Sequence, residues 1–197
     1  GDVVAGEKVN DQIDAKTGLK VYSLYGKTRK PTAEMLAGVD VLVYDIQDIG
    51  CRSYTFISTM GLVMEAAVEN SIEVVVLDRP NPLGGIKVEG SGVSEGYFSF
   101  VSQFDIPYIY GLTCGELAQF LNEEICCSLT VVPMQGWTRD MSFKDTGLPW
   151  VPTSPQIPST NAAICYPATG IIGEMGFLNI GVGYTLPFEV MTAPWVN

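Results

Sequence analysis

The chain has 197 residues, with 22 Asp and Glu against 11 Lys and Arg, a formal charge of −11 and a hydrophobic fraction of 47%. A nucleic-acid binder needs a basic face to displace phosphate counterions, and docking onto anionic lipid needs clustered cations, so this balance argues against both. The apolar fraction is high enough to offset ordering entropy, which argues against disorder, and no run approaches the ~20 apolar residues that cross a bilayer.

The length suits one domain, or one domain and part of a second. The opening residues, Gly1 to Glu7, have neither the basic start nor the apolar core of a signal peptide. Val21-Tyr22-Ser23-Leu24-Tyr25-Gly26 alternates as a short strand does, and Pro31 to Leu36 reads as one or two helical turns stopped by Gly38. Val39 to Tyr44 is a nearly continuous apolar run, the pattern of a strand covered on both faces. A helix is predicted from about Tyr54 to Asn70, with Ile57, Met60, Gly61, Met64 and Val68 on one stripe. Glu73 to Leu77 is a second buried strand. Strand, helix and strand make a βαβ unit, so the strands should run parallel with a right-handed crossover.

Ile106 to Gly111 opens a third unit. Its helix runs from about Cys114 to Glu124, with Thr113 as N-cap and Glu116 completing a capping box, and Ser128 to Val132 is the third strand. After Pro133 the periodicity fails. Pro149, Pro152, Pro155, Pro158 and Pro167, then a Gly-rich stretch from Gly170 to Gly183, predict irregular structure laid over the strand ends. A short helix is expected near Ser159–Ile164. The fold expected is α/β, a Rossmann-like three-layer domain with a mainly parallel sheet over residues 1–135. Residues 136–197 form the irregular segment, the start of a second subdomain.

Five irregularly spaced cysteines, no CxxC and no histidine argue against a zinc site and against a histidine base. The thiols read as buried and free. No metal site is assigned. Chemistry must then come from carboxylates, Tyr, Lys, Cys or hydroxyls. Ligands of open α/β sheets bind beyond the carboxyl ends of the strands, and two consecutive strands here deliver acids to that edge. The first delivers Asp45 and Asp48, with Gln47, Arg52 and Tyr54 nearby; the second delivers Asp78, with Arg79 and Asn81. Read alone, each Asp is a helix cap or turn residue, and Asp48 could cap the helix beginning near Arg52.

Paired carboxylates suit glycoside hydrolysis or Mg²⁺ coordination for phosphoryl transfer. The second use needs a phosphate cradle, and neither GxxxxGK[ST] nor a GxGxxG after a strand is present. Without GxSxG or histidine there is no serine nucleophile to argue. Arg, Asn, Gln and Tyr beside carboxylates fit sugar hydroxyls and a substrate carboxylate. Trp137, Trp150 and Trp195 are either sugar-stacking platforms or core and rim residues. Lys27 and Lys30 belong to the one basic cluster, a solvated loop or an attractor of anions.

The run Asp45-Ile46-Gln47-Asp48-Ile49-Gly50-Cys51-Arg52-Ser53-Tyr54-Thr55 resembles the signature of the bacterial exo-β-N-acetylmuramidase family, long catalogued as a domain of unknown function. Val21 to Gly26, Leu77-Asp78-Arg79-Pro80-Asn81-Pro82, Gly111-Leu112-Thr113, Gly147 to Pro152 and Ala193-Pro194-Trp195 are similar to that family in the same order. The resemblance implies a Rossmann-like domain that helps hydrolyse terminal N-acetylmuramic acid from peptidoglycan fragments. It implies a muropeptide-type amino sugar as partner, no nucleotide cofactor, no membrane insertion, and export to the periplasm or beyond. Under it, Asp45, Asp48 and Asp78 line the cleft as catalytic acids. Arg52 and Arg79 hold the lactyl carboxylate, and Gln47, Tyr54, Asn81 and Tyr166 bind hydroxyls or the acetamido group.

The chain also departs from the family pattern. Members carry an N-terminal region ending in Glu-His-Gly, whose Glu is a candidate acid, and a C-terminal domain; both are missing here. Where a Ser-Glu-Gly-Arg-Gly stretch is expected, this chain has Asn179-Ile180-Gly181-Val182-Gly183. Glu174 is the candidate replacement for the lost acid, and Glu89 and Glu116 are spare carboxylates. A relative that binds the amino sugar without hydrolysing it is the alternative. A parallel sheet without its first strands exposes an edge. A homodimer, the missing part of the polypeptide, or the segment around Val21–Leu24 is expected to cover it.

Overall fold

The computed structural model describes residues 10–196. Three parallel strands form the central sheet in the order β3-β4-β5: β3 is Val41–Tyr44, β4 is Glu73–Leu77 and β5 is Leu129–Val132. Val43 lies opposite Val75, and Val75 opposite Thr130, which fixes the register. A separate antiparallel pair, β1 (Gln12–Ile13) and β2 (Lys20–Val21), precedes the sheet. The α/β class and the parallel sheet read from the sequence are what the structure shows.

Alternation along the strands sends Tyr44, Val74 and Val76 toward two helices, α1 (Phe56–Asn70) and α2 (Cys114–Ile125). Ile57, Met60 and Met64 of α1 and Leu117, Ala118 and Leu121 of α2 close this core. The stripe on α1 turns through Ala67, so Val68 is 44% exposed and not a core residue. The helix stops where Ser71 takes a left-handed conformation and its N–H bonds back to Ala67 and Val68 carbonyls. Helix α2 starts with the predicted box: Thr113 Oγ1 accepts from Glu116 N at 3.2 Å, and Glu116 Oε2 accepts from Thr113 N at 3.0 Å.

The helices cover one face of the sheet. Val41 and Val43 point to the other face and are 42% and 60% exposed, so within the described residues β3 is not covered on both sides. Nor does the segment around Val21–Leu24 protect the edge of β3, since Val21 pairs with Gln12 of β1. Residues 33–38 form turns and no helix. Lys30 is no free anion attractor: its Nζ meets Glu65 at 3.2 Å and Glu69 at 2.7 Å on α1.

The segment after β5 is irregular as expected, with a single 3₁₀ turn at Phe143–Thr146. Its helix, α3, is longer than the sequence suggested, running Thr160–Gly173 through Pro167. Ser159 caps it by accepting from Ala162 N at 3.0 Å. Pro167 removes one backbone donor, yet the helix continues because packing decides. Tyr166 stacks edge-on against Phe188 at 4.8 Å, and Thr169 Oγ1 bonds the carbonyls of Cys165 and Phe188. Phe188, with Cys165 and Tyr166 packed against it, belongs to a second apolar cluster that joins Ile49, Cys51 and Tyr54 to Ile157 and Ala163. The C-terminal segment is thereby packed against the loop that follows β3.

Candidate active-site cleft

Beyond the carboxyl ends of β3 and β4 lies an open cavity of 560 Å³, within the range of small-molecule sites. Asp45, Asp78 and Arg79 line it, opposite Met134, Trp137, Asp145 and Leu148 from the irregular segment. A smaller cavity of 240 Å³ adjoins it, sharing Arg79, Pro80 and Leu148 and adding Gln47 and Trp150. The two strand tips thus meet at one solvent-open cleft.

Asp45 and Arg79 form an ion pair across the strand ends. Asp45 Oδ1 accepts from Arg79 Nε at 2.8 Å and from Nη2 at 2.5 Å. Asp45 Oδ2 and Arg79 Nη1 have no partner among the described residues. Both side chains are roughly half exposed, at 47% and 41%. Pairs this wet contribute about 0–1 kcal/mol, so the contact is easily exchanged for one with a ligand.

Asp78 is held quite differently. Oδ1 accepts from Gly115 N at 2.8 Å and Arg79 N at 3.0 Å, and Oδ2 accepts from Thr113 Oγ1 at 2.8 Å. The carboxylate therefore sits on the N-terminus of α2, where free N–H groups and the helix dipole favour a negative charge. Gly115 permits this approach: a Cβ there would lie 2.8 Å from Asp78 Cγ and 2.6 Å from Val131 Cγ1. In Rossmann-type folds such a helix end receives a phosphate. Here the chain's own carboxylate already fills it.

Asp48 lies behind the cleft, 5% exposed, and lines neither cavity. It caps no helix, since α1 begins only at Phe56. Its Oδ2 accepts from Gly50 N at 2.7 Å and from the Tyr110 hydroxyl, while buried Oδ1 has no partner among the described residues. Burial pushes this carboxyl up to about 6, against the opposing pull of those hydrogen bonds.

The other candidate residues divide between cleft and scaffold. Gln47 reaches the smaller cavity while its Nε2 bonds the carbonyls of Asp48 and Pro80 at 2.7 and 2.8 Å. Asn81 is buried, and donates to Leu112 O and accepts from Leu83 N, both at 2.9 Å. Arg52 lines neither cavity: its Nη1 donates to the carbonyls of Ser91 and Ile106, and its guanidinium lies over Tyr108. Tyr54 donates to Thr153 Oγ1 at 3.3 Å inside the second apolar cluster, where burial pushes its hydroxyl up to about 12. Tyr166 accepts from Ser53 Oγ at 3.3 Å in the same cluster. Glu174 is exposed just beyond α3 and lines neither cavity. Glu116 is the capping residue and also pairs with Arg139 at 2.5 Å.

Nothing in the sequence assigns a cleft residue between positions 134 and 148 except Trp137, which fits either a platform or a core position. The segment has no periodicity to assign it a face. One signal was present: Ser142 and Asp145 have the spacing of a capping box, which the structure contains. Hydrogen bonds from Ser142 hold Asp145's carboxyl below its ordinary value.

The family model described as exo-β-N-acetylmuramidase NamZ, N-terminal, matches residues 1–161. The chain belongs to this family. It is 52% identical over 199 aligned positions to the peptidoglycan β-N-acetylmuramidase NamZ of Bacillus subtilis strain 168, covering 100% of this chain and 48% of that protein. Two crystal structures of DUF1343 family proteins from Bacteroides fragilis NCTC 9343 share its fold. One has a TM-score of 0.89 at 63% identity, covering 93% of this chain and 49% of the other; the second has 0.79 at 34%, covering 91% and 49%. The chain spans about half the length of these NamZ-family relatives. The resemblance read from the Asp45–Thr55 and Leu77–Pro82 motifs is thus a family relationship.

Proposed function

We propose that this chain forms the glycone-binding part of a muramidase-type glycosidase, receiving a terminal N-acetylmuramic acid of a peptidoglycan fragment in the Asp45–Arg79 cleft. The observation that carries this reading is the meeting of two strand tips at one 560 Å³ cavity bearing an exchangeable guanidinium–carboxylate pair. Arg79 Nη1 is free to meet a lactyl carboxylate, for which a guanidinium fork is well shaped. Trp137 provides an aromatic wall for a sugar face. Asp45, with Oδ2 unengaged, is the group positioned to exchange a proton with a ligand, while Asp78 holds the cleft's floor to α2.

Release of nitrophenol from nitrophenyl β-N-acetylmuraminide tests the proposal. Turnover that falls at least a hundredfold in Asp45→Asn supports it, the scale of a lost general acid or base. Turnover unchanged in Asp45→Asn counts against it.

One observation favours a second reading, in which the chain binds the amino sugar and does not hydrolyse it. Glycoside hydrolysis generally uses two carboxylates, and of the three strand-end acids only Asp45 is both at the cavity and incompletely engaged. Calorimetry with N-acetylmuramic acid separates the two: binding without turnover by the intact protein supports the second reading. We also infer that further polypeptide, either a second copy or additional chain, covers the β3 edge and the Val41–Val43 face. Sedimentation of the intact protein distinguishes dimer from monomer.

A further inference from the structure

We infer that Asp48 is a positioning residue: from behind the cleft its carboxyl ties the segment after β3 to the segment before α2, which Asn81 joins in turn to the segment after β4, and its protonation sets how firmly these three are held. The inference deepens the saccharide reading and rests on it for the identity of the ligand, but its geometry is independent of the ligand. Within the segment after β3, Asp48 Oδ2 accepts from Gly50 N at 2.7 Å. From the segment before α2, Tyr110 donates to the same oxygen. Two residues on, Leu112 O accepts from Asn81 Nδ2 at 2.9 Å, which brings in the segment after β4. Asn81 also packs directly on Gly50, where φ is +77° and a Cβ would fall inside the Asn81 amide. Asp45 and Gln47 ride on the first segment, Asp78 and Arg79 on the second, and Thr113, which bonds Asp78, on the third.

The surroundings of Asp48 are acidic or neutral. Tyr110 is its hydrogen-bond donor, Tyr44 comes from β3, Cys114 from the first turn of α2, and Cys51 from its own loop, with Tyr54 and Tyr166 farther away. None of these is a cation, so nothing among them neutralises an ionised Asp48. Oδ1 makes no well-formed hydrogen bond among the described residues, although the Ile49 N–H lies close enough to help lower the carboxyl. Ionisation strengthens the individual Tyr110 and Gly50 bonds, but the uncompensated buried charge outweighs them and favours hydration of the site, so the protonated form is the one that holds the junction closed. The raised titration range of this carboxyl, near 6, brings the change within an accessible pH window. The chain contains no histidine, so no imidazole of its own titrates there.

Trp137 and Trp150 line the two cavities and report on the cleft without any ligand. Intrinsic tryptophan fluorescence of the intact protein, followed from pH 4.5 to 8, should show an inflection near pH 6. Asp48→Asn should abolish it. Tyr110→Phe should move it to higher pH, because the donated hydrogen bond is one of the forces lowering the Asp48 value. An inflection that survives unchanged in Asp48→Asn, no inflection in the unaltered protein, or an unmoved inflection in folded Tyr110→Phe overturns the inference. If Asp48→Asn does not fold, Tyr110→Phe alone decides. Calorimetry with N-acetylmuramic acid at pH 5 and pH 7.5 separates this idea from the one beneath it. Affinity that follows the fluorescence curve, and loses its pH dependence in Asp48→Asn, supports positioning. Absence of binding at both pH values overturns the saccharide reading while the fluorescence still decides the role of Asp48.

Discussion

Asp78 tests whether a strand-end acid in this cleft is chemistry or architecture. Replacing it by Ala removes two backbone N–H bonds, from Gly115 and Arg79, and the Thr113 hydroxyl bond. Hydrogen bonds to a charged acceptor contribute about 1.5–3 kcal/mol each, but Asp78 is only half-buried and water can replace part of them. Loss of a side-chain acceptor at a helix start costs about 1 kcal/mol by analogy with an N-cap, and a lost charge there about 0.3–1 kcal/mol. Together these give about 2–3 kcal/mol for Asp78→Ala. With a urea slope of about 1–3 kcal/mol/M, the midpoint should fall by about 0.7–3 M. Asp78→Asn keeps an acceptor for the two backbone donors and loses the charge, so about 1 kcal/mol is expected. Urea denaturation followed by circular dichroism reads both. An Asp78→Ala protein within 0.5 kcal/mol of the unaltered one refutes the anchoring role, as does an Asp78→Asn protein of unchanged stability that has lost all turnover.

Other substitutions probe the same frame. Gly115→Ala, normally a gain of about 1 kcal/mol inside a helix, should destabilise, because the new methyl meets Val131 and the Asp78 carboxyl; a raised thermal midpoint would contradict the packing. Gly50→Ala should cost more than 1 kcal/mol in a denaturant titration, since it forces a side chain into positive φ and onto Asn81. Arg79→Lys keeps the charge but loses the planar fork, so affinity for N-acetylmuramic acid should fall about tenfold or more while stability stays within 0.5 kcal/mol, as expected for an exposed pair; equal affinity by calorimetry would exclude Arg79 as the carboxylate holder. Asp48 has its folded value raised from 3.8 to about 6, so its contribution to stability is full below the unfolded value and disappears as pH rises through 6. Relative to Asp48→Asn, the unaltered protein should lose about 3 kcal/mol between pH 3.5 and 7.5, a difference that paired urea titrations resolve.

The sequence carried the βαβ frame because its signals are local: an apolar run for β3 and β4, a 3.6-residue stripe on α1, and the Thr113–Glu116 box on α2. What it could not carry were distinctions made by tertiary distance. Asp45, Asp48 and Asp78 look alike in sequence, each an acid in a polar turn after a strand. In the structure one faces the cavity in a wet ion pair, one is sealed behind it, and one is bound to a helix end. Arg52 and Arg79 likewise look equivalent, yet the carbonyls that hold Arg52 belong to Ser91 and Ile106, far along the chain. The opposite wall of the cleft, from Met134 to Leu148, lies in irregular backbone, where no period assigns a side chain to a face. The full length of α3 is not legible in the sequence because Pro167 is a helix breaker by local rules, and only the packing of Ala163 and Tyr166 in a cluster with Ile157 and Phe188 overrides them.

Asp78 also bears on the proposed saccharide reading of this frame. The fold's usual invitation to a phosphate is a helix N-terminus at the strand ends with unpaired N–H groups and a favourable dipole. On α2 those donors already meet a carboxylate supplied by β4, and Glu116 takes up the N–H of Thr113. A second anion brought to that end would meet a negative charge in place of free donors. The attractive centre is shifted instead to Arg79, one residue beyond Asp78, whose guanidinium faces a cavity walled by Trp137 and Leu148. A ligand with one carboxylate, several hydroxyls and an apolar ring face matches that arrangement, whereas a polyphosphate would find one cation beside Asp45, Asp78 and Asp145. A single acid placed at the tip of β4 thus closes the helix end to a phosphate, while Asp45 holds the neighbouring guanidinium at the cleft.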